Sequence, residues 1–336
     1  MYYLFFLTAL VLQVIESQTY WAGCPSLKLL LEDIWCARQP STVQLYCYSL
    51  RKFFAYCAIF NHDIALPVSS GLAASFISFT RHNSGTKGAV SSAINALKWL
   101  HNFVPGVNSN NDPLNEKMLK LVVDSAMRHL PKNKRTKKPL EHEFINRVLS
   151  DAKDASLLVD VRDRLIISLS YTLLFRHDEI AHISCAHLSF VHGGLKITIP
   201  SSKTDVYKNG GNALLNRGKV FSLLMRYMEM AGLSLGDAHF LFGPIIRQGD
   251  RDCIGNSKLS YNSYLKLLKS CLSLYGYNPD QYGFHSCRSG GATSLASQVT
   301  KYELLNGGRW KDARSLSHYV KLSDKRRMQF SSMLTG

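Results

Sequence analysis

The sequence predicts a mainly α-helical protein with one small β-sheet, divided into a helical N-terminal domain and an α+β C-terminal domain. Three observations predict it. Apolar residues recur at helix spacing over most of the 336 residues, a length sufficient for two separate cores. Only two short β-prone runs, 188–191 and 195–199, stand out, and the His192-Gly193-Gly194 turn between them makes a hairpin. A basic run bounded by Pro131 and Pro139 interrupts the helical pattern.

Residues 1–26 are an apolar leader. The run from Tyr2 to Ile15 suits a signal-peptide core, but no Lys or Arg precedes it, and it is short for a membrane span. A helix packed on the first domain, or an extension foreign to the ancestral protein, is favoured over a secretory signal. Residues 27–130 read as helical. Val43, Tyr46, Leu50, Phe53 and Cys57 form one stripe, beside Arg51 and Lys52, and Ser41 or Thr42 is placed to cap its start. Val90, Ile94, Leu97 and Leu100 form a second. A third helix is expected over 114–130, entered through Asp112-Pro113. Gly85, Gly88 and the 105–111 stretch read as turns.

The linker, 131–139, carries Lys132, Lys134, Arg135, Lys137 and Lys138. It reads as a solvated hinge, as a strap on the DNA backbone, or as a nuclear-import signal, and these readings are compatible. Residues 140–336 form the C-terminal domain. Helices are expected over 141–152, 159–175, 218–231, 261–275 and 286–297, with two short pieces leading to Tyr319.

Charge separates the two halves. Residues 1–130 hold 10 Lys and Arg against 7 Asp and Glu, while residues 131–336 hold 30 against 17. The second half thus carries +13 of the net +16, the footprint of a polyanion binder. The eight cysteines are irregularly spaced, with no C-x-x-C pair. They read as buried thiols, neither a disulfide framework nor a zinc site. Carboxylates clustered to hold two metal ions are also missing, which disfavours metal-dependent transposition.

The last sixty residues carry the chemistry. His285-Ser286-Cys287-Arg288 is followed by Ser289-Gly290-Gly291-Ala292-Thr293, then Gly308-Arg309-Trp310, then Tyr319, nine residues after the Trp. Upstream, Arg176 ends an apolar helix three residues before Glu179, and Lys203 lies just beyond a short strand. Cleaving a phosphodiester with a side chain requires a nucleophile that can leave again, cations around the non-bridging oxygens, and an acid for the departing oxygen. Each of these residues alone has an ordinary reading: a packing Tyr, a surface ion pair, a loop Lys, a capping His, a core Trp. Together, in the order Arg, Lys, His-x-x-Arg, Trp, Tyr, they resemble the tyrosine recombinase and integrase family. The resemblance covers about residues 140–325 and is weaker over the N-terminal third.

The resemblance implies a core-binding, SAM-like DNA-binding domain over 27–130 and a catalytic integrase domain over 140–336. It makes Tyr319 the nucleophile of a 3′-phosphotyrosyl intermediate, without metal or other cofactor. Arg176 and Arg288 become the phosphate clamp, since guanidinium groups fork onto two oxygens and stay charged. Lys203 becomes the acid for the 5′-oxygen, with Lys208 as its competitor. His285 manages protons or bonds the phosphate, and Trp310 donates its indole N–H where the family has His or Trp. Gly290-Gly291-Ala292 permits close helix approach. Lys266 and Lys269 sit on a candidate groove helix.

The expected partners are double-stranded DNA and three further copies, giving a homotetramer on two DNA sites. No membrane or small-molecule substrate is expected, and the location is intracellular, in the nucleus. The Arg288-Ser-Gly-Gly-Ala-Thr and Gly-Arg-Trp-Lys segments look like those of mobile-element recombinases. Residues 322–334 could form one short helix. Two alternatives keep the fold: a domesticated DNA-binding copy without activity, and a type IB topoisomerase that relaxes DNA as a monomer.

Overall fold

The computed structural model describes residues 26, 29, 32, 33 and 36–320, apart from 105, 132–136, 201–209 and 318. Residues 1–25 of the leader, Lys132, Lys134, Arg135, Lys203, Lys208 and the expected helix at 322–334 lie outside the described residues. The chain divides between Lys134 and Arg135 into two compact units.

Among the described residues, the first unit is built on four helices: α1 (Pro40–Ile59), α2 (Ser70–Ser84), α3 (Lys87–His101) and α4 (Lys117–His129). The stripe on α1 is real: Val43, Leu50, Phe53 and Cys57 are buried and Tyr46 packs against them. Its start differs from expectation. Gln39 is the N-cap and Pro40 occupies the first turn, so neither Ser41 nor Thr42 caps the helix. Proline needs no N–H there and has the right φ already set.

Gly88 is likewise no turn. Thr86 caps α3 by accepting from the Ala89 N–H, which draws Gly88 into the first turn. The expected helix over 114–130 is broken. Asp112 caps a single 3-10 turn, Pro113–Asn115, and α4 starts afresh after the extended Glu116. Asp112 is held there by His101, whose Nδ1 lies 2.8 Å from its Oδ1 while Nε2 accepts the Val68 N–H. The sequence pattern missed α2 altogether.

The second unit centres on α6 (Leu158–Thr172), which is buried along most of its length. Around it lie α5 (His142–Asp151), α8 (Lys219–Ala231), α9 (Tyr261–Leu274) and α10 (His285–Leu295). Between α6 and α8 come the short α7 (His177–Ala181) and a three-stranded antiparallel sheet. Its strands are β1 (Leu188–Val191), β2 (Gly194–Ile199) and β3 (Gly211–Asn216).

The anticipated hairpin forms, with Leu188 opposite Ile197 and Val191 opposite Gly194. Leu195, Ile197 and Ile199 point into the core at the period of a strand. The third strand was not anticipated. Its Gly and Asn residues disfavour a strand, and pairing with β2 overrides them by burying Ala213 and Leu215. A second hairpin, β4 (Ile245–Gln248) with β5 (Arg251–Ile254), was also missed. Two short helices, α11 (Lys301–Gly307) and α12 (Ala313–Ser317), close the described chain. Among the described residues no helix is long and apolar enough to cross a membrane, and no group of three His, Cys, Asp or Glu could hold a metal ion.

Candidate active site around Tyr319

The site is assembled from the end of α6, the start of α10 and the α11–α12 segment. After α6 the chain must turn sharply, and Leu174 enters the left-handed region with φ 55°. Few residues with a branched side chain do so. The Leu174 side chain is held by a small core of Ala292, Leu304, Trp310 and Leu316. Arg176 then N-caps α7. This corrects the expectation that it ends the apolar helix, which stops at Thr172.

Glu179 organises the guanidinium groups and is fully buried. The Arg176 N–H donates to its Oε2 at 3.0 Å, and Arg176 Nη1 donates to its Oε1 at 2.5 Å. Arg309 Nη2 donates to Oε2 at 3.1 Å, and Arg288 Nη1 lies 3.7 Å from the same oxygen. Desolvation would raise the Glu179 pKa, but Arg309, Arg288 and Arg176 outweigh it and hold the carboxyl below its ordinary value of 4.5. Three guanidinium groups thus face one carboxylate. Burial, reinforced by Arg176, pushes the Arg288 guanidinium down to about 9, so it remains protonated at neutral pH.

Arg288 projects from α10, whose first residue is His285. Its side chain is fully buried, and its Nη atoms donate to the carbonyls of Leu174 and Gly308. The guanidinium carbon lies 4.3 Å from the centre of the Trp310 ring and 5.3 Å from that of the Tyr319 ring. Trp310 and Tyr319 are themselves 5.3 Å apart, and His285 is 6.1 Å from Tyr319. Tyr319 is half-buried. Its carbonyl accepts from Ser289 Oγ at 2.6 Å and from Thr293 Oγ1 at 3.3 Å, so α10 fixes the tyrosine segment directly. The Trp310 Nε1 and the Arg288 and Arg309 Nε atoms are buried without hydrogen-bond partners among the described residues.

Glycine makes this packing possible. A Cβ on Gly290 would sit 2.3 Å from the Leu140 carbonyl oxygen, and one on Gly291 would sit 2.2 Å from that of Tyr171. On Gly308 it would fall 1.6 Å from the Trp310 ring.

The structure therefore brings Tyr319, His285, Arg288 and Trp310 together and joins Arg176 to them through Glu179. No family model matches the chain. The integrase/recombinase XerD homologue of Selenomonas ruminantium is 23% identical over 291 residues, 84% of this chain and 82% of that protein. Among solved structures, the XerH site-specific recombinase on palindromic difH substrate superposes with a TM-score of 0.63 at 18% identity. That match spans 88% of this chain and 80% of the other. The Tn1549 transposon integrase with transposon right end DNA gives 0.55 at 14% identity, over 97% and 99%. The chain has the tyrosine recombinase fold. The resemblance drawn from the motif order, and the mainly helical fold class, are borne out.

The tyrosine recombinase motif order did not single out Arg309, Ser289 or Thr293. Ser289 and Thr293 lie four residues apart on α10, the spacing of one helix face. That spacing was a usable signal. Among the proposed DNA-binding lysines, Lys266 is exposed on α9. Lys269 pairs with Asp280 Oδ1 at 2.9 Å, and Lys137 Nζ donates to the Asp280 carbonyl at 2.7 Å. The Lys138 side chain is exposed, while its backbone N–H donates to the Gln281 carbonyl.

Proposed function

We propose that this protein is a site-specific DNA recombinase that cuts and rejoins DNA through Tyr319. The observation that carries the reading is the packing of the Tyr319 ring beside Arg288, Trp310 and His285, in a cluster where three guanidinium groups face one carboxylate. Tyr319 Oη attacks the scissile phosphorus and forms a P–Oη bond. The bond from phosphorus to the 5′-oxygen breaks, and the 5′-oxygen takes a proton from a general acid, the role assigned to Lys203. The phenolic proton passes to His285 or solvent. Arg176 and Arg288 meet the charge on the non-bridging oxygens, and the Trp310 N–H adds a donor. A 5′-hydroxyl from a partner duplex reverses the step and releases Tyr319, with the bond energy retained in the phosphotyrosine.

In this reading the first unit is the core-binding domain and the second the catalytic domain. Four copies act on two DNA sites, as befits a mobile-element enzyme working in the nucleus. A nicked suicide substrate tests it. A covalent protein–DNA adduct should form and vanish with Tyr319→Phe, while DNA binding persists. Binding without any adduct would support a second reading, a DNA-binding protein that no longer cuts. One observation favours that reading: the Arg288 Nη atoms already donate to two backbone carbonyls.

A further inference from the structure

Arg309 adopts φ 57°, a conformation that glycine alone takes without strain. What holds it there is its own side chain. Nη2 donates to the carbonyls of Leu173 and Leu174 at 3.0 and 3.1 Å and to Glu179 Oε2 at 3.1 Å. Nη1 reaches the Gly307 carbonyl at 3.3 Å. The guanidinium lies 5.2 Å from the Phe175 ring centre, and the stem passes 3.5 Å from where a Cβ on Gly211 would stand. Nη2 thus faces three protein acceptors and Nη1 a fourth, so this side chain serves as a tie within the protein.

The acceptors it ties are the ones that place the clamp. Leu174, also left-handed, offers its carbonyl to both Arg309 and Arg288. Gly308, the residue before Arg309, offers its carbonyl to Arg288. Glu179 holds Arg176 through both oxygens. Arg309 is nearer to Glu179 Oε2 than Arg288 is, 3.1 against 3.7 Å.

We propose that Arg309 is a positioning residue that engages Glu179 and the Leu173–Leu174 turn, so that Arg176 and Arg288 are set before DNA arrives. Without it, the carboxylate closes on Arg288 and draws that guanidinium away from phosphate. The proposal rests on the strand-cleavage reading, and two variants separate it from simpler roles. Arg309→Lys keeps the charge but not the fork. Arg309→Gly relieves the backbone strain and removes the tie. Both should form adduct on the suicide substrate on the order of 10- to 100-fold more slowly, with DNA affinity changed less than about threefold. A normal rate in Arg309→Gly would make the residue a mere turn former, and a normal rate in Arg309→Lys a mere charge. Either overturns the proposal.

In a Glu179→Gln background the loss from Arg309→Lys should shrink, because the effect runs through Glu179. Full additivity overturns it. Hydrogen exchange needs no reaction. The Arg176 amide, bonded to Glu179, should exchange faster in Arg309→Gly while the amides of α3 do not change. Wild-type exchange at Arg176 overturns the proposal. If exchange responds but the wild-type protein makes no adduct, the positioning role stands and the strand-cleavage reading falls.

Discussion

Replacing Gly291 by alanine should damage catalysis from behind the site. Helix α10 carries His285 and Arg288 on its first turn and meets the backbone of α6 at Gly291, while Gly290 rests on the Leu140 backbone. The added methyl would lie 2.2 Å from the Tyr171 carbonyl oxygen and 2.5 Å from Leu174 Cδ2. The carbonyl belongs to a buried helix, and the Tyr171 hydroxyl is anchored to Ser294 Oγ at 2.6 Å, so the backbone cannot give way cheaply. Ordinary contact begins near 3.4 Å, which forces α10 to retreat by about 1 Å. Overpacking of this kind costs about 1–3 kcal/mol. In a unit of this size each kcal/mol shifts the melting temperature by about 2–4 °C. Arg288 and His285 move with the helix. A displacement of about 1 Å in a positioned catalytic group costs on the order of 100-fold in rate, or about 2.7 kcal/mol of barrier. Thermal unfolding and single-turnover adduct formation read the two effects separately. A Gly291→Ala protein with normal melting and a normal adduct rate would refute the close helix contact. Lowered melting with an unchanged adduct rate would refute the link from helix position to chemistry.

Trp310→Phe should melt within a few degrees of the wild type, because loss of an unpartnered buried donor offsets part of the lost packing. Its adduct rate should fall by about 100-fold, as for loss of one transition-state donor, and Trp310→His should recover part of it in the same gel assay. Glu179 has a depressed folded pKa, so its contribution to stability is present above the unfolded value of 4.5 and is lost as pH falls below that through the folded value. Urea melts across this range should show that acid loss in the wild type and its absence in Glu179→Gln. Lys266→Ala should reduce the salt slope of DNA binding by about 0.9. The loss from Lys269→Ala should be smaller, since Asp280 already engages that ammonium, and Asp280→Ala should tighten binding at low salt in the same titration.

The helices with a buried stripe were legible because burial enforces a period: α1, α3, α5, α6, α8 and α9 all appear near their expected places. Boundaries were less so, since Pro40 in the first turn and the Asp112 cap act on one residue rather than on a period. β3 was illegible because only its pairing makes it a strand. Tyr319, Arg288 and His285 were picked one by one from motif order, and the structure places them side by side. The pairing of Glu179 with Arg176, three residues away, was legible; its reach to Arg288 and Arg309 was not, because nothing local to those two announces a shared carboxylate.

Strain and unmet polarity fall on the same few residues. Among the described residues three non-glycine residues have positive φ, and two of them, Leu174 and Arg309, flank Arg288. Among the described residues, one buried polar atom without a partner is on Arg288 itself and two more, on Arg309 and Trp310, lie beside it. A fold selected for stability alone would place a hydrophobic side chain where Arg288 sits, since buried ion pairs rarely outperform well-packed apolar groups. One carboxylate faces three guanidinium groups here, a setting that favours a bound anion. A phosphodiester brings a negative charge together with oxygen acceptors for the indole N–H. The same features that cost stability in the free protein are those that would bind a phosphate more tightly as charge shifts onto its oxygens.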